Sequence, residues 1–158
     1  MKPFTVTTKL IKDVDLRVFD ELKRRLIGER VVKVGFPQGK TEADGTPVAL
    51  IAATHEFGSP ERGIPERSFL RSGMRENQEK YVRLNKVNLV RILRGQLTSE
   101  QALGQLGEMA KGDVQQKIRS GDFTPLKPST VDRKGSSKPL IDTGQMVQSV
   151  SYELGEGE

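Results

Sequence analysis

Apolar and polar residues alternate in "FTVTTKLI", Phe4 to Ile11, which predicts a strand with one wet face. Val31 to Phe36, "VVKVGF", reads as its partner strand. Between them, Asp13 to Ile27 carries Val18, Phe19, Leu22 and Leu26 on one helical stripe. Acidic residues open this segment, Lys23 to Arg25 lie near its end and Gly28 stops it, the polarity a helix dipole favours. Thr46 and Pro47 then have the order of a cap and a first helical residue, before "VALIAATHEF". That segment is apolar almost all round, so a short buried helix is expected, ended by Gly58. A loop rich in proline and glycine, "GSPERGIPE", follows as an exposed tongue.

Ser68 to about Arg94 reads as one long helix, with Leu70, Met74, Val82, Leu89 and Leu93 near a common face and a bend expected around Asn85 to Asn88. Thr98 and Gln101 have capping-box spacing and start a helix over Ser99 to Arg119, with Leu103, Leu106, Ala110, Val114 and Ile118 as its stripe. Gly104, Gly107 and Gly112 each cost that helix ~1 kcal/mol against Ala, so close packing on a neighbour is expected there. The segment 120–140 reads as loop with a single turn near Ser129 to Arg133. Asp142 and Gln145 again have cap spacing, for a short helix over "DTGQMVQS". Val150 to Leu154 alternates as a last strand. The expected fold is α+β in one domain, 1–158: a small, mainly antiparallel sheet (strands near 4–11, 31–36 and 149–154) packed by amphipathic helices, with long loops and fraying at 155–158.

Composition narrows the chemistry. The chain has no cysteine, which excludes disulfides, thiolate metal sites and a cysteine nucleophile. No apolar run approaches the ~20 residues of a membrane span, and Met1 to Thr5 has no apolar core of a signal peptide, so neither a membrane partner nor export by that route is expected. The net charge of +5 arises from interleaved charges. Its densest basic stretch, Arg62 to Arg94, sets nine basic residues against three acidic ones. It reads as a solvated helix face before it reads as a nucleic-acid stripe, because no aromatic residues are interleaved for stacking.

Candidate active-site motifs do not close. Gly35 and Gly39 enclose three residues where a phosphate loop needs four, Pro37 brings no N–H, and the chain turns again after Lys40 and Thr41 instead of entering a helix. The single histidine, His55, lacks a second histidine four residues on, where Ser59 stands, so no zinc-protease pair forms. No nucleophile elbow is present. The expectation is a non-enzyme: no catalytic residue, no cofactor and no metal.

Two stretches nevertheless have the look of fixed motifs, "DGTPVALIAATHEFGSPERGIPERSFLRSGM" (44–74) and "FTPLKPSTVDRKGSSKPLIDTGQMVQSVSYEL" (123–154). The Glu56-Phe57-Gly58 helix end, the Ile64-Pro65 to Leu70 approach, and Asp142-Thr143-Gly144 followed by Ser149-Val150 resemble the virion morphogenesis family of tailed bacteriophages and prophages. That group includes neck, head–tail joining and tail-completion proteins. The resemblance covers about Val31 to Leu154. In some tail-completion relatives the Glu-Phe-Gly helix follows the Asp-Thr-Gly segment, whereas here it precedes it, which leaves the station in the virion open.

The resemblance implies a structural part in an oligomeric ring at the head–tail junction, residing in the virion and, during assembly, in the host bacterial cytoplasm. Its partners would be further copies of itself and connector or tail proteins, with non-specific contact to DNA in a lumen through phosphate charge. Lys40, Glu61, Arg62 and Arg67 are the candidate subunit contacts, because arginine pairs bidentately with carboxylates. Phe57 and Phe69 read as core, Asp142 as a helix cap, and Gly144 as a backbone requirement. The alternative is a small basic nucleic-acid-binding protein acting alone.

Overall fold

The computed structural model describes residues 17, 20–21, 30–135 and 137–156. The expected strand at 4–11 and most of the helix at 13–27 lie outside them. Arg17, Asp20 and Glu21 are helical and exposed. Element order is β1 (Arg30–Gly35), α1 (Val48–Phe57), a 3-10 turn (Pro60–Arg62), α2 (Leu70–Glu76), α3 (Gln78–Leu93), α4 (Ser99–Ser120), α5 (Pro128–Lys134), α6 (Gln145–Ser149) and β2 (Ser151–Glu156). The class is α+β: helices packed on a small antiparallel sheet.

The two strands pair in antiparallel register, Val32 with Leu154 and Val34 with Tyr152. Period-two alternation puts these four on one face, and Val31, Lys33 and Glu153 on the other. α4 packs on both strands. β2 runs to Glu156, paired with Arg30, so Gly155 and Glu156 belong to the sheet and not to a fraying tail.

α4 begins with the expected capping box: Gln101 N–H donates to Thr98 Oγ1 (3.1 Å) and Thr98 N–H to the Gln101 side chain (3.0 Å). Of its three glycines, Gly107 lies under the Tyr152 ring, where an added Cβ would fall 2.2 Å from a ring carbon, and Gly104 faces the Tyr152 hydroxyl at 3.8 Å. Gly112 meets open space, and close packing does not account for it. The core joins α4 (Val114, Ile118) to Val48 and Ala52 of α1, Phe69, Leu140, and Met146, Val147 and Val150 at the α6–β2 junction. Phe36 meets Phe69 edge-on, with centroids 6.0 Å apart.

Three expectations are corrected. The long helix breaks at Asn77, whose side chain donates to the Gly73 carbonyl (2.9 Å), and runs unbroken through 85–88. The break lets α2 enter the core while α3 lies on α4 through a seam of Tyr81, Leu84, Asn88 and Ile92. Val82, Leu89 and Leu93, expected inside, are therefore exposed. Asn88 is buried within that seam, and its side-chain amide has no hydrogen-bond partner among the described residues, an arrangement that costs about 1–3 kcal/mol.

α1, secondly, is buried on one face only, by Val48, Ala52 and Glu56, while Leu50 and Phe57 are exposed. Its cap differs as well. Thr46 donates its N–H to Asp44 in a turn (2.9 Å), and Pro47 occupies the cap position. Lastly, the turn near 129–133 extends to a helix over Pro128–Lys134. Among the described residues, no helix is long and apolar enough to cross a membrane.

The glycine environments yield a paired prediction. Gly107→Ala forces the Tyr152 ring to move and is expected to destabilise by about 1–3 kcal/mol. Gly112→Ala, with space around it, is expected to stabilise by ~1 kcal/mol. Urea unfolding of both variants checks this.

Candidate interaction site

The two motif stretches converge on an open cleft of about 1290 Å³. Its floor is Ile51, His55, Leu140 and Met146, and its walls are the tongue after Gly58, the strip Thr124–Lys127, and the paired loops around Glu42 and Asp142. The tongue is a closed hairpin, with Ser59 bridging Ile64 and the 3-10 turn between them. Glu61 and Arg62 stand exposed on that turn, and Lys40 is exposed just before the loop closed by the Thr41–Pro47 bridge.

Glu56 holds the tongue to the body. Its side chain is 4% exposed. The carboxylate accepts the N–H groups of Phe69 and Leu70 (2.8 Å each) and of Arg71 (3.1 Å), the Ser68 hydroxyl (2.8 Å) and the Arg71 guanidinium (2.8 Å). The three N–H groups are donors that the first turn of α2 cannot pair internally, and α2 has neither a side-chain cap nor an acidic residue in its own first turn. Glu56 supplies both from 13 to 15 positions away.

Burial alone would raise the Glu56 pKa. The Arg71 guanidinium, the Leu70 and Arg71 N–H groups and the Ser68 hydroxyl outweigh it and hold the carboxyl below its ordinary 4.5. Arg71 also reaches the Glu66 carboxylate (2.8 Å) and the Glu56 carbonyl (3.2 Å), and lies 4.8 Å over the Phe57 ring. Phe57, expected in the core, is 64% exposed and forms the seat for that cation; Phe69 is fully buried as expected. Gly58, at φ 74°, is required twice over: the conformation is left-handed, and a Cβ there would sit 2.8 Å from the Glu66 nitrogen.

Arg67 is corrected as a subunit contact. It is 4% exposed, its Nε donates to the Thr124 carbonyl (2.8 Å) and its Nη2 to the Pro125 carbonyl (3.3 Å), while its N–H meets the His55 carbonyl (2.8 Å). The guanidinium thus ties the 124–125 strip to the base of the tongue inside one subunit. Asp142 is corrected as a helix cap. It is exposed on the cleft rim, and the neighbouring Thr143 accepts the Gln145 N–H (3.1 Å) while donating to the Glu42 carboxylate (3.1 Å). Gly144 precedes α6 at φ 79°, the backbone requirement expected of it. Gln145 reaches the Thr41 carbonyl, which locks the second pair of loops together.

The cleft therefore gathers Phe57, Gly58, Arg62, Asp142, Thr143 and Gly144, with Arg67 as a buried tether in its lining, whereas Lys40, Glu56 and Glu61 do not line it. Among the described residues, no three of His, Cys, Asp or Glu are grouped to hold a metal ion. No family model matches the chain, and no curated protein or solved structure matches it either.

The tethers can be tested separately. Since the Glu56 carboxyl is shifted downward, its stabilisation is complete above pH 4.5 and is lost as pH falls through the lowered value. Glu56→Gln is expected to cost about 3–5 kcal/mol at neutral pH and to flatten stability against pH below 4.5, read by urea unfolding from pH 3 to pH 8. A wild-type curve already flat in that range would refute the role. For the arginines, Arg67→Met is expected to speed chymotryptic cleavage after Phe123 by freeing the 124–125 strip, whereas Arg62→Ala should change stability by less than about 0.5 kcal/mol.

Proposed function

We propose that this chain is a non-enzymatic structural component of a tailed-phage particle, working at the head–tail junction as a neck or tail-completion part and assembled there in a ring. The observation that carries the reading is the fate of Glu56. The most chemically capable group of the first motif is fully engaged in capping α2 and fixing the tongue, so the motif builds shape. The second motif does the same through Thr143, Gly144 and Gln145.

What remains outward on these braced loops is Lys40, Glu61 and Arg62, polar groups suited to a protein partner, together with the apolar side chains Leu50 and Phe57. A closed hairpin tongue with a pinned base keeps its contact geometry before it meets a partner, which lowers the ordering cost of assembly. The basic residues of α3 favour the solitary nucleic-acid binder less, since Lys80 is engaged by Asp113 (2.5 Å) and apolar side chains separate the others.

Electron microscopy of particles assembled from a genome lacking this reading frame tests the proposal. Filled heads beside separate tails are expected. Complete, infectious particles in normal yield would overturn it.

A further inference from the structure

Two helical faces in the described structure carry exposed apolar side chains. On α1 these are Leu50 (55% exposed) and Phe57 (64%), with Ala49 and Ala53 exposed beside them, so that 50, 53 and 57 form one stripe. A groove of about 210 Å³ flanks the stripe at Leu50, lined also by Thr46, Ile51, Thr54, Arg62 and Ile64, among others. On α3, Val82, Leu89 and Leu93 recur at intervals of seven and four and are 45, 45 and 39% exposed, with Val90 (45%) and Val87 (58%) exposed further around the helix. This second stripe lies roughly a third of a turn around the helix from the seam on α4.

The faces differ in charge. With Lys80 engaged by Asp113, α3 itself carries Arg83, Lys86 and Arg91 against Glu79. The turns flanking α1 carry Glu42, Asp44 and Glu61 against Lys40 and Arg62, while Arg71 is shared by the buried Glu56 and by Glu66. Two α3 faces brought together would set base against base, and two α1 faces acid against acid. Unlike faces set the bases of α3 on the acids around α1, and the small Ala49 and Ala53 allow a close approach of the two helices.

We propose that the α1 stripe of one copy receives the α3 stripe of a second copy, head to tail, with Leu89 entering the groove beside Leu50. This rests on the assembly reading and names the surfaces that make the ring. The contact is heterologous, so it closes into a ring when the rotation per subunit permits. Two stripes of this length bury less than the ~800 Å² per partner of a standard stable interface. The contact is therefore weak between free copies and is populated at high local concentration.

The absence of cysteine makes the test clean. Ala53→Cys and Leu89→Cys are prepared separately, checked for folding by circular dichroism, mixed at millimolar concentration and oxidised. The mixture is expected to yield the 53–89 heterodimer well above either homodimer, the double variant a ladder of oligomers, and both yields should fall with added salt.

Predominant 53–53 or 89–89 dimers would overturn the proposal, as would a pair of variants that gives no cross-link at millimolar concentration. Protection of the Leu89→Cys thiol from maleimide in the dilute monomer would also overturn it, because a segment of the same chain would then occupy the face. None of these readouts uses a phage particle. Particles that assemble normally without the chain would sink the assembly reading alone, and a failed cross-link beside defective particles would sink this contact alone.

Discussion

One buried carboxylate organises the face of the protein that carries the motifs. Glu56 ends α1, and its two oxygens take up the donors at the start of α2 together with the side chains of Ser68 and Arg71. A charge at this depth is tolerable only when its lone pairs are met by directed donors, and five donors meet it. The geometry allows little choice. The chain must leave α1 through a left-handed Gly58, turn back through the tongue, and present residues 68–71 in helical order to the carboxylate. The sequence Glu-Phe-Gly, the tongue and the Ser-Phe-Leu-Arg approach are parts of one device.

That device has consequences at both ends. Seating α2 on Glu56 brings Phe69 against Phe36 and Gly73 against the Lys117 stem, so α2 is committed to the core. α3 follows on the far side of Asn77 and lies on α4 by a narrow seam that includes a buried amide. A helix held by so narrow a seam leaves much of its surface outside, and this surface is where Val82, Leu89 and Leu93 are found. On the other side, Arg67 fastens the 124–125 strip to the base of the tongue through two carbonyls, which joins the second motif stretch to the first.

Elements governed by neighbours a few residues apart were legible in the sequence, and elements governed by distant partners were not. The Thr98–Gln101 capping box spans three residues and was read correctly, as were β1, α4 and β2 to within two residues. The cap on α2 comes from Glu56, too far along the chain for local spacing to reveal. The start of α2 has no acidic residue in its first turn, but α1 shares that feature without a distant carboxylate cap, so it does not single out Glu56. At Thr46 and Asp142 the residue type fitted a cap, but a competing turn prevailed: Asp44 took the Thr46 N–H, and Thr143 took the Gln145 N–H. Arg67 and Arg62 are indistinguishable by residue type and lie five positions apart; burial against two carbonyls separates them, and that depends on residues 124 and 125.

The apolar sequence of α1 illustrates a different limit. A helix apolar all round is expected to be buried all round, and among the described residues it is not. The structure covers Val48 and Ala52 and leaves Leu50 and Phe57 to solvent. The pattern thus asks for more burial than the described residues provide. In the assembly proposed above, that outer stripe is the interface, on a helix held rigid by the Glu56 cap at one end and by the Thr41–Pro47 bridge at the other. Rigidity matters to the energetics, because a helix fixed in place loses little further entropy when its outer stripe is covered. The interior charge network and the exterior apolar stripe are thus two sides of one element, the first fixing the position of the second.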